Sequence, residues 1–320
     1  MLILNESDIV SAINFTDLLK STEEAMTLQE QGDYFMPDRI HLSYQGNVQL
    51  LMPAFTKKHF ATKLVSVFPG NVKNNKPALF GTVILNDGHT GEPLAVLNGA
   101  KLTALRTAAV GALGLLYTTP RELNSLGLIG AGVQGFHQVL LACTVRQIKY
   151  LGINDPHHPA LDTFIQQLSQ YLPELEIKVY HNVNDLLQNS QAIITATTSL
   201  TPVLPADMDL LSGKHFIGIG SYTPDMQEYP EELFSQLDQV FIDTPLACKE
   251  AGDLSIPLKK GILKGDQVHT LGKLIVGDLK IDFSQTTLFK SVGMALFDLL
   301  VAQAIYKNAL NKGIGQEVNF

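Results

Sequence analysis

Residues 124–155, NSLGLIGAGVQGFHQVLLACTVRQIKYLGIND, constrain the fold more than any other stretch of the chain. A short apolar run through Leu126, Leu128 and Ile129 ends in Gly130-Ala131-Gly132-Val133-Gln134-Gly135. A helical pattern follows (Phe136, Val139, Leu140, Cys143), and a second apolar run closes at Asp155. Strand, glycine turn, helix, strand and acid in this order make a βαβ unit. Such a unit requires a parallel sheet covered by its crossover helix.

Each residue type has a chemical reason. Gly130 makes the tight turn, and Gly132 lets the backbone approach a pyrophosphate. The free N–H groups and positive dipole end at the start of the helix favour that anion. Asp155, roughly 20 residues on, would accept hydrogen bonds from both hydroxyls of an adenosine ribose, which favours NAD(H) over the 2′-phosphorylated cofactor. A turn that only packs helix on sheet would leave Asp155 without a role. His157 and His158 keep NADPH open, because either could meet a 2′-phosphate.

The chain has 320 residues, about two domains' worth. Its formal charge of -8 and lack of clustered Lys and Arg argue against a nucleic-acid partner. The first ten residues lack the basic and apolar regions of a signal peptide. The longest uncharged apolar stretch, residues 107–120, is too short to span a bilayer. The expectation is a cytoplasmic protein with no membrane partner. Cys143 and Cys248 form no metal or redox motif and read as core residues. No metal site is readable, and the histidines are scattered (His41, His59, His137, His181, His215 and His269).

Taken in order, the chain predicts a strand at residues 2–4 and two helices to about residue 31. Ser7 would cap the first helix, and Thr16 or Ser21 the second. Gly32 stops that run. Extended runs follow at residues 39–44, 48–53, 61–68, 79–86 and 93–97, the last two joined by a hairpin-type turn at residues 87–92. This predicts a largely antiparallel sheet. Thr103 would cap a helix over residues 104–117. From residue 124 strands and helices alternate, the mark of a doubly wound parallel sheet. Residues 288–310 predict a long closing helix that returns to the first domain. The expected architecture is α/β: a Rossmann-type domain at residues 121–295, and a discontinuous α+β substrate and dimerisation domain at residues 1–120 plus about 296–320.

Two cations stand out. Lys63 shares one face of its strand with Ala61, Val65 and Val67, so it either snorkels at a sheet edge or is held for a purpose. Arg106 follows Thr103 closely, which places it in a first helical turn, where a cation opposes the dipole unless an anion binds there. The alternative is a side chain that leans out to solvent. Arg39 by itself reads as a partner of Asp38.

Met36-Pro37-x-Arg39, Thr90-Gly91-x-Pro93-Leu94-Ala95, Leu102-Thr103-x-x-Arg106-Thr107-Ala108-Ala109 and Gly130-x-Gly132-x-Gln134 occur in that order, with Lys63 in its strand. Thr195-Ala196-Thr197-Thr198-Ser199, Thr201-Pro202-Val203 and Ser291-Val292-Gly293-x-Ala295 with Asp298 complete a pattern that resembles the ornithine cyclodeaminase/mu-crystallin family over nearly the whole chain. The resemblance implies that Arg39, Lys63 and Arg106 hold a substrate carboxylate and that Val292 touches substrate. It further implies that Gly130, Gly132, Val133, Gln134, Asp155, Thr197 and Ser291 line the dinucleotide, and that the protein is a homodimer built through the antiparallel domain.

One departure shapes the functional expectation. Cyclodeaminases and related alanine dehydrogenases carry an acid in a Gly-x-Asp-x-Pro-Gly-Lys segment; here Gly220-Ser221-Tyr222-Thr223-Pro224-Asp225-Met226 puts Tyr222 in its place. Without that base, deaminating cyclisation is disfavoured. The pattern looks more like the ketimine reductases. The expectation is therefore an NAD(P)H-dependent reductase of cyclic ketimino acids (Δ1-pyrroline-2-carboxylate to L-proline, or Δ1-piperideine-2-carboxylate to L-pipecolate), with Lys63 as the catalytic group. Ornithine cyclodeaminase or amino-acid dehydrogenase activity, and a non-catalytic mu-crystallin-like ligand binder, are the alternatives.

Overall fold

The computed structural model describes residues 1–74 and 76–319. After the strand β1 (Leu2–Leu4), Asn5 caps the helix α1 (Glu6–Ala12) in a reciprocal box: Asn5 Oδ1 accepts from Asp8 N at 3.1 Å, and Asp8 Oδ2 accepts from Asn5 N at 2.9 Å. Asn14 caps α2 (Phe15–Gln31), and Gly32 ends it at φ 73°. The caps are thus asparagines rather than Ser7, Thr16 or Ser21. Ser7 donates to the Asn5 side chain, and Ser21 donates back to Asp17 O inside its helix.

Five strands follow: β2 (Ile40–Tyr44), β3 (Asn47–Phe55), β4 (His59–Val67), β5 (Leu79–Asp87) and β6 (Pro93–Asn98). They pair antiparallel in sequence, as the turn residues predict, with the Asp87 carboxylate accepting from His89 N and Thr90 N in the last turn. The next helix, α3 (Gly99–Thr118), starts directly from β6, because Asn98 Oδ1 accepts from Lys101 N at 2.9 Å. Thr103 is therefore inside the helix, and Arg106 lies beyond its first turn. The predicted conflict with the helix dipole does not arise.

The alternating region comprises β7 (Ser125–Ile129), α4 (Val133–Val145), β8 (Tyr150–Asn154), α5 (Leu161–Tyr171), β9 (Glu176–Val179), α6 (Val183–Gln188), β10 (Ala192–Thr195), α7 (Met208–Leu211), β11 (His215–Gly218), α8 (Glu231–Phe234), β12 (Val240–Ile242), α9 (Ala247–Glu250), α10 (Gly252–Lys260), β13 (Val268–Thr270), α11 (Leu271–Ile275) and β14 (Thr287–Lys290). Its eight strands form one parallel sheet in the order β13-β12-β14-β11-β10-β7-β8-β9. The order reverses between β7 and β10, and open sheets of this kind take ligands outside the carboxyl ends of the strands at such a point.

The chain closes with α12 (Ala295–Lys312) and β15 (Gln316–Glu317). The single long helix predicted from residue 288 is thus a strand, a turn and a shorter helix. Thr287–Lys290 is buried at every residue in the middle of the parallel sheet, and periodicity alone cannot separate such a run from a buried helix. Gly293, at φ 76°, turns the chain between the two elements.

Two compact units result, Met1–Arg106 with Met294–Phe320, and Thr107–Gly293. The divisions fall inside α3 and just before α12, where the sequence places them at residues 120 and 295. In the first unit the sheet order is β15-β1-β6-β5-β4-β3-β2, antiparallel except for the β1–β6 pair. The α12 helix packs on β3, β4 and β5. Among the described residues no helix is long and apolar enough to cross a membrane.

Candidate active site

In the first unit, Lys63 lies on β4 between β3 and β5, paired with Met52 and Val83, both buried. A central strand has no edge to snorkel from, and Lys63 is only 2% exposed. Its ammonium instead meets a carboxylate, with Nζ 2.7 Å from Asp298 Oδ2. The other oxygen, Oδ1, accepts from Arg106 Nε at 3.1 Å. Asp298 sits in the first turn of α12, where the helix dipole favours a negative charge.

Two buried cations therefore share one buried acid, and the trio is net positive when all three are ionised. Removing ions from water costs several kcal/mol each, so such a cluster is costly unless its charge is balanced. Burial lowers the Lys63 pKa to about 8, against the pull of Asp298 and with the push of Arg106 and Arg39. The half-buried Arg39 is thus near enough for its charge to act on Lys63. The structure brings Lys63 and Arg106 onto Asp298, which the sequence offers only as one member of a family pattern, with the charge of Arg39 acting on Lys63 from farther off.

In the second unit the glycine turn connects β7 to α4. Gly130 has φ 98°, and a Cβ there would lie 2.7 Å from Ala196 O and 3.0 Å from Thr197 Cγ2. A Cβ on Gly135 would lie 2.2 Å from Gly130 O, so this glycine permits close packing of helix on turn. Gly132 differs: it caps α4 with no side-chain hydrogen bond, and a Cβ there would meet nothing within 4 Å. Its missing side chain leaves open space at a helix N-terminus. Beside it Val133 is 69% exposed, and the buried Gln134 Oε1 has no hydrogen-bond partner. These features fit a dinucleotide whose pyrophosphate lies over the turn.

Asp155 follows β8, with Oδ2 accepting from Ala131 N at 2.8 Å, so the acid is anchored to the turn itself. Thr197, after β10, gives both its N–H and its hydroxyl to Glu228. Ser291 donates to Asp243 Oδ2 at 2.6 Å, and the amides of Val292 and Gly293 donate to the same carboxylate. Tyr222 is 50% exposed, and Asp225 is exposed with a carboxylate that accepts from Thr223 Oγ1. Buried Glu228, Asp253 and Lys290 have no signal of their own in the sequence: they lie in a loop, in the first turn of α10 and at the end of β14, and meet only in the folded unit.

The model of the ornithine cyclodeaminase/mu-crystallin family matches residues 1–313. The chain belongs to that family. Among its similar members is a Δ1-pyrroline-2-carboxylate reductase of Bacillus cereus, 28% identical over the full length of both chains. An alanine dehydrogenase of Archaeoglobus fulgidus is 29% identical, over the whole of this chain and 98% of its own. The solved Δ1-pyrroline-2-carboxylate reductase of Thermococcus litoralis, in complex with NADH and L-proline, superposes with a TM-score of 0.92 at 30% identity, covering 99% of this chain and all of that one. The fold described above is therefore shared with that solved reductase over nearly the whole chain.

Proposed function

We propose that this family member reduces the C=N bond of small cyclic ketimino acids, Δ1-pyrroline-2-carboxylate first among them, using NADH. One observation carries the reading: Lys63 and Arg106 are buried on a single carboxylate, with Arg39 close by. An anionic substrate supplies the missing negative charge. The reductase relatives, one solved with NADH and L-proline, support the same substrate class.

Arg39 and Arg106 hold the substrate carboxylate; a guanidinium presents donors in a fork that matches it. Lys63, with a pKa of about 8, is largely protonated at neutral pH. Its ammonium keeps the proton on the imine nitrogen, which makes the imine carbon electrophilic. Asp298 fixes the ammonium and holds it charged. When bound, the reduced nicotinamide supplies the hydride. Because an iminium needs no strong base to react, positioning and electrostatics provide most of the acceleration. The absence of an acid at Tyr222 suits this direction, and it disfavours the cyclodeaminase and dehydrogenase readings.

The nucleotide half of the proposal rests on Gly130, Gly132, Val133, Gln134, Asp155, Thr197 and Ser291. Gly132→Ala separates folding from binding, since the new methyl meets nothing in the protein and φ at this residue is -79°. Its melting temperature should stay within a few degrees of wild type, because alanine in place of glycine at an N-cap costs about 1 kcal/mol or less. NADH affinity, read by nicotinamide fluorescence, should fall about tenfold or more, the equivalent of about 1.4 kcal/mol. Full affinity in the variant would remove the pyrophosphate from this turn. In parallel titrations of the wild type, NADPH binding more tightly than NADH would overturn the role given to Asp155.

We also propose a homodimer through the antiparallel unit. The sheet ends at β2, where Ile40, Leu42 and Tyr44 occupy one face and are 49%, 50% and 74% exposed, an apolar edge that pairing would cover. An archaeal alanine dehydrogenase with a TM-score of 0.91 at 27% identity is described as a dimer with bound NAD. Sedimentation should give a dimer for wild type and a monomer for Leu42→Glu. A monomeric wild type would refute the assignment.

A further inference from the structure

At the carboxyl ends of β10 and β11 a single carboxylate joins two loops. Glu228 is fully buried. Its Oε1 accepts from Thr197 N at 2.7 Å and from Thr197 Oγ1 at 2.9 Å. Its Oε2 accepts from Gly220 N at 2.9 Å and Ser221 N at 3.2 Å, and lies 2.9 Å from Thr195 Oγ1. The carboxylate therefore bridges the segment after β10 to the segment after β11.

The bridge is itself held in place. Glu228 N and Tyr229 N donate to Asp253 Oδ1 at 2.7 and 3.1 Å, and Val203 N donates to Glu228 O at 2.9 Å. Lys290 Nζ lies 3.4 Å from Asp253 Oδ2 and 3.9 Å from Glu228 Oε2, both of them within the buried interior. Gly220 makes the close approach possible: a Cβ there would lie 2.1 Å from Thr197 O and 2.4 Å from Glu228 Oε1. On the other side of this junction is the glycine turn, since Ala196 O and Thr197 are the groups that a Cβ on Gly130 would meet. A buried charge satisfied by several backbone amides is costly to displace, so the junction has one low-energy arrangement.

We propose that Glu228 is the positioning residue of the dinucleotide site, setting the distance between Thr197 and the glycine turn by locking Thr197 to the Gly220–Ser221 peptide. Glu228 is wholly buried and acts through Thr197. The inference rests on the nucleotide-binding reading above and deepens it.

Glu228→Gln tests it. The amide keeps one accepting oxygen but turns an NH2 toward a second group of donors, so either Thr197 N or the Gly220 and Ser221 amides lose their acceptor. Hydrogen exchange on the nucleotide-free protein should become faster at Thr197, Gly220 and Ser221, while the amides of β7 keep wild-type protection. NADH affinity by fluorescence should fall roughly tenfold, with kcat at saturating NADH and the KM for the imino acid close to wild type. Thr195→Val, which removes a single hydroxyl from the junction, should shift the same amides and the NADH affinity in the same direction by less. This second variant decides the matter if Glu228→Gln does not fold. Wild-type NADH affinity in a folded Glu228→Gln protein overturns the positioning role while leaving the nucleotide site intact. Weakened affinity with unchanged exchange at those three amides overturns it as well. A wild-type protein that binds no NADH removes the underlying reading, and the positioning role with it.

Discussion

Replacing Lys63 with Met lowers kcat/KM for imine reduction by about 10²–10⁴-fold, the usual worth of a positioned proton donor. Methionine nearly fills the volume of the lysine stem, so packing between Met52 and Val83 is kept. It also leaves Arg106 and Asp298 as a one-to-one ion pair, which removes the excess positive charge. The variant should therefore keep a stability close to wild type, because burial already penalises the Lys63 ammonium and Asp298 keeps Arg106 as its counter-ion. Loss of rate with retained stability is the signature of a functional lysine. Steady-state kinetics on a variant whose thermal unfolding is checked separately gives the answer, and unchanged kinetics would take Lys63 out of the mechanism.

The Asp298→Asn variant should fail in the opposite way. It leaves Lys63 and Arg106 buried without a counter-ion, and breaking a buried pair from one side costs about 3–5 kcal/mol. For a chain with only about 5–15 kcal/mol of total stability, this is a large fraction. Thermal and denaturant unfolding read it directly. The activity of whatever remains folded should also change its pH dependence. Asp298 is the group that raises the Lys63 pKa, so its loss moves that value down from about 8. In wild type, reduction should fall as pH rises through about 8 and the ammonium is lost; in the variant the fall should begin at lower pH. The effect on stability runs the other way. The folded chain releases the Lys63 proton near 8 and the unfolded chain near 10.5, so between those values the unfolded state binds more protons and folding gains from rising pH.

What the sequence made legible follows from the range of the interactions involved. The βαβ unit at residues 124–155 is local, and its turn, helix and acid fall where the pattern places them. The hairpin at residues 87–92 was readable for the same reason, because Asp87 builds its turn from neighbours two and three residues away. Long-range pairings left no such trace. Nothing near Lys63 in sequence names Asp298, its partner on a helix more than 200 residues later. Arg106 drew attention through a helix-dipole conflict that does not exist, since Asn98 starts α3 earlier than Thr103 would. Its anion is real all the same, supplied by Asp298. The strand at residues 287–290 was hidden because a fully buried parallel strand has no alternation to reveal it. Glu228 belongs to the same class: its importance lies in the amides of two loops that only the folded sheet brings to one carboxylate.

The most direct measurement is NADH consumption by the purified protein supplied with Δ1-pyrroline-2-carboxylate, with the product identified by chromatography. L-Proline should form stoichiometrically with the NADH consumed, at a rate that declines above about pH 8 as the Lys63 ammonium is lost. A protein that binds NADH yet leaves both this imine and its six-membered homologue unreduced would contradict the proposed function.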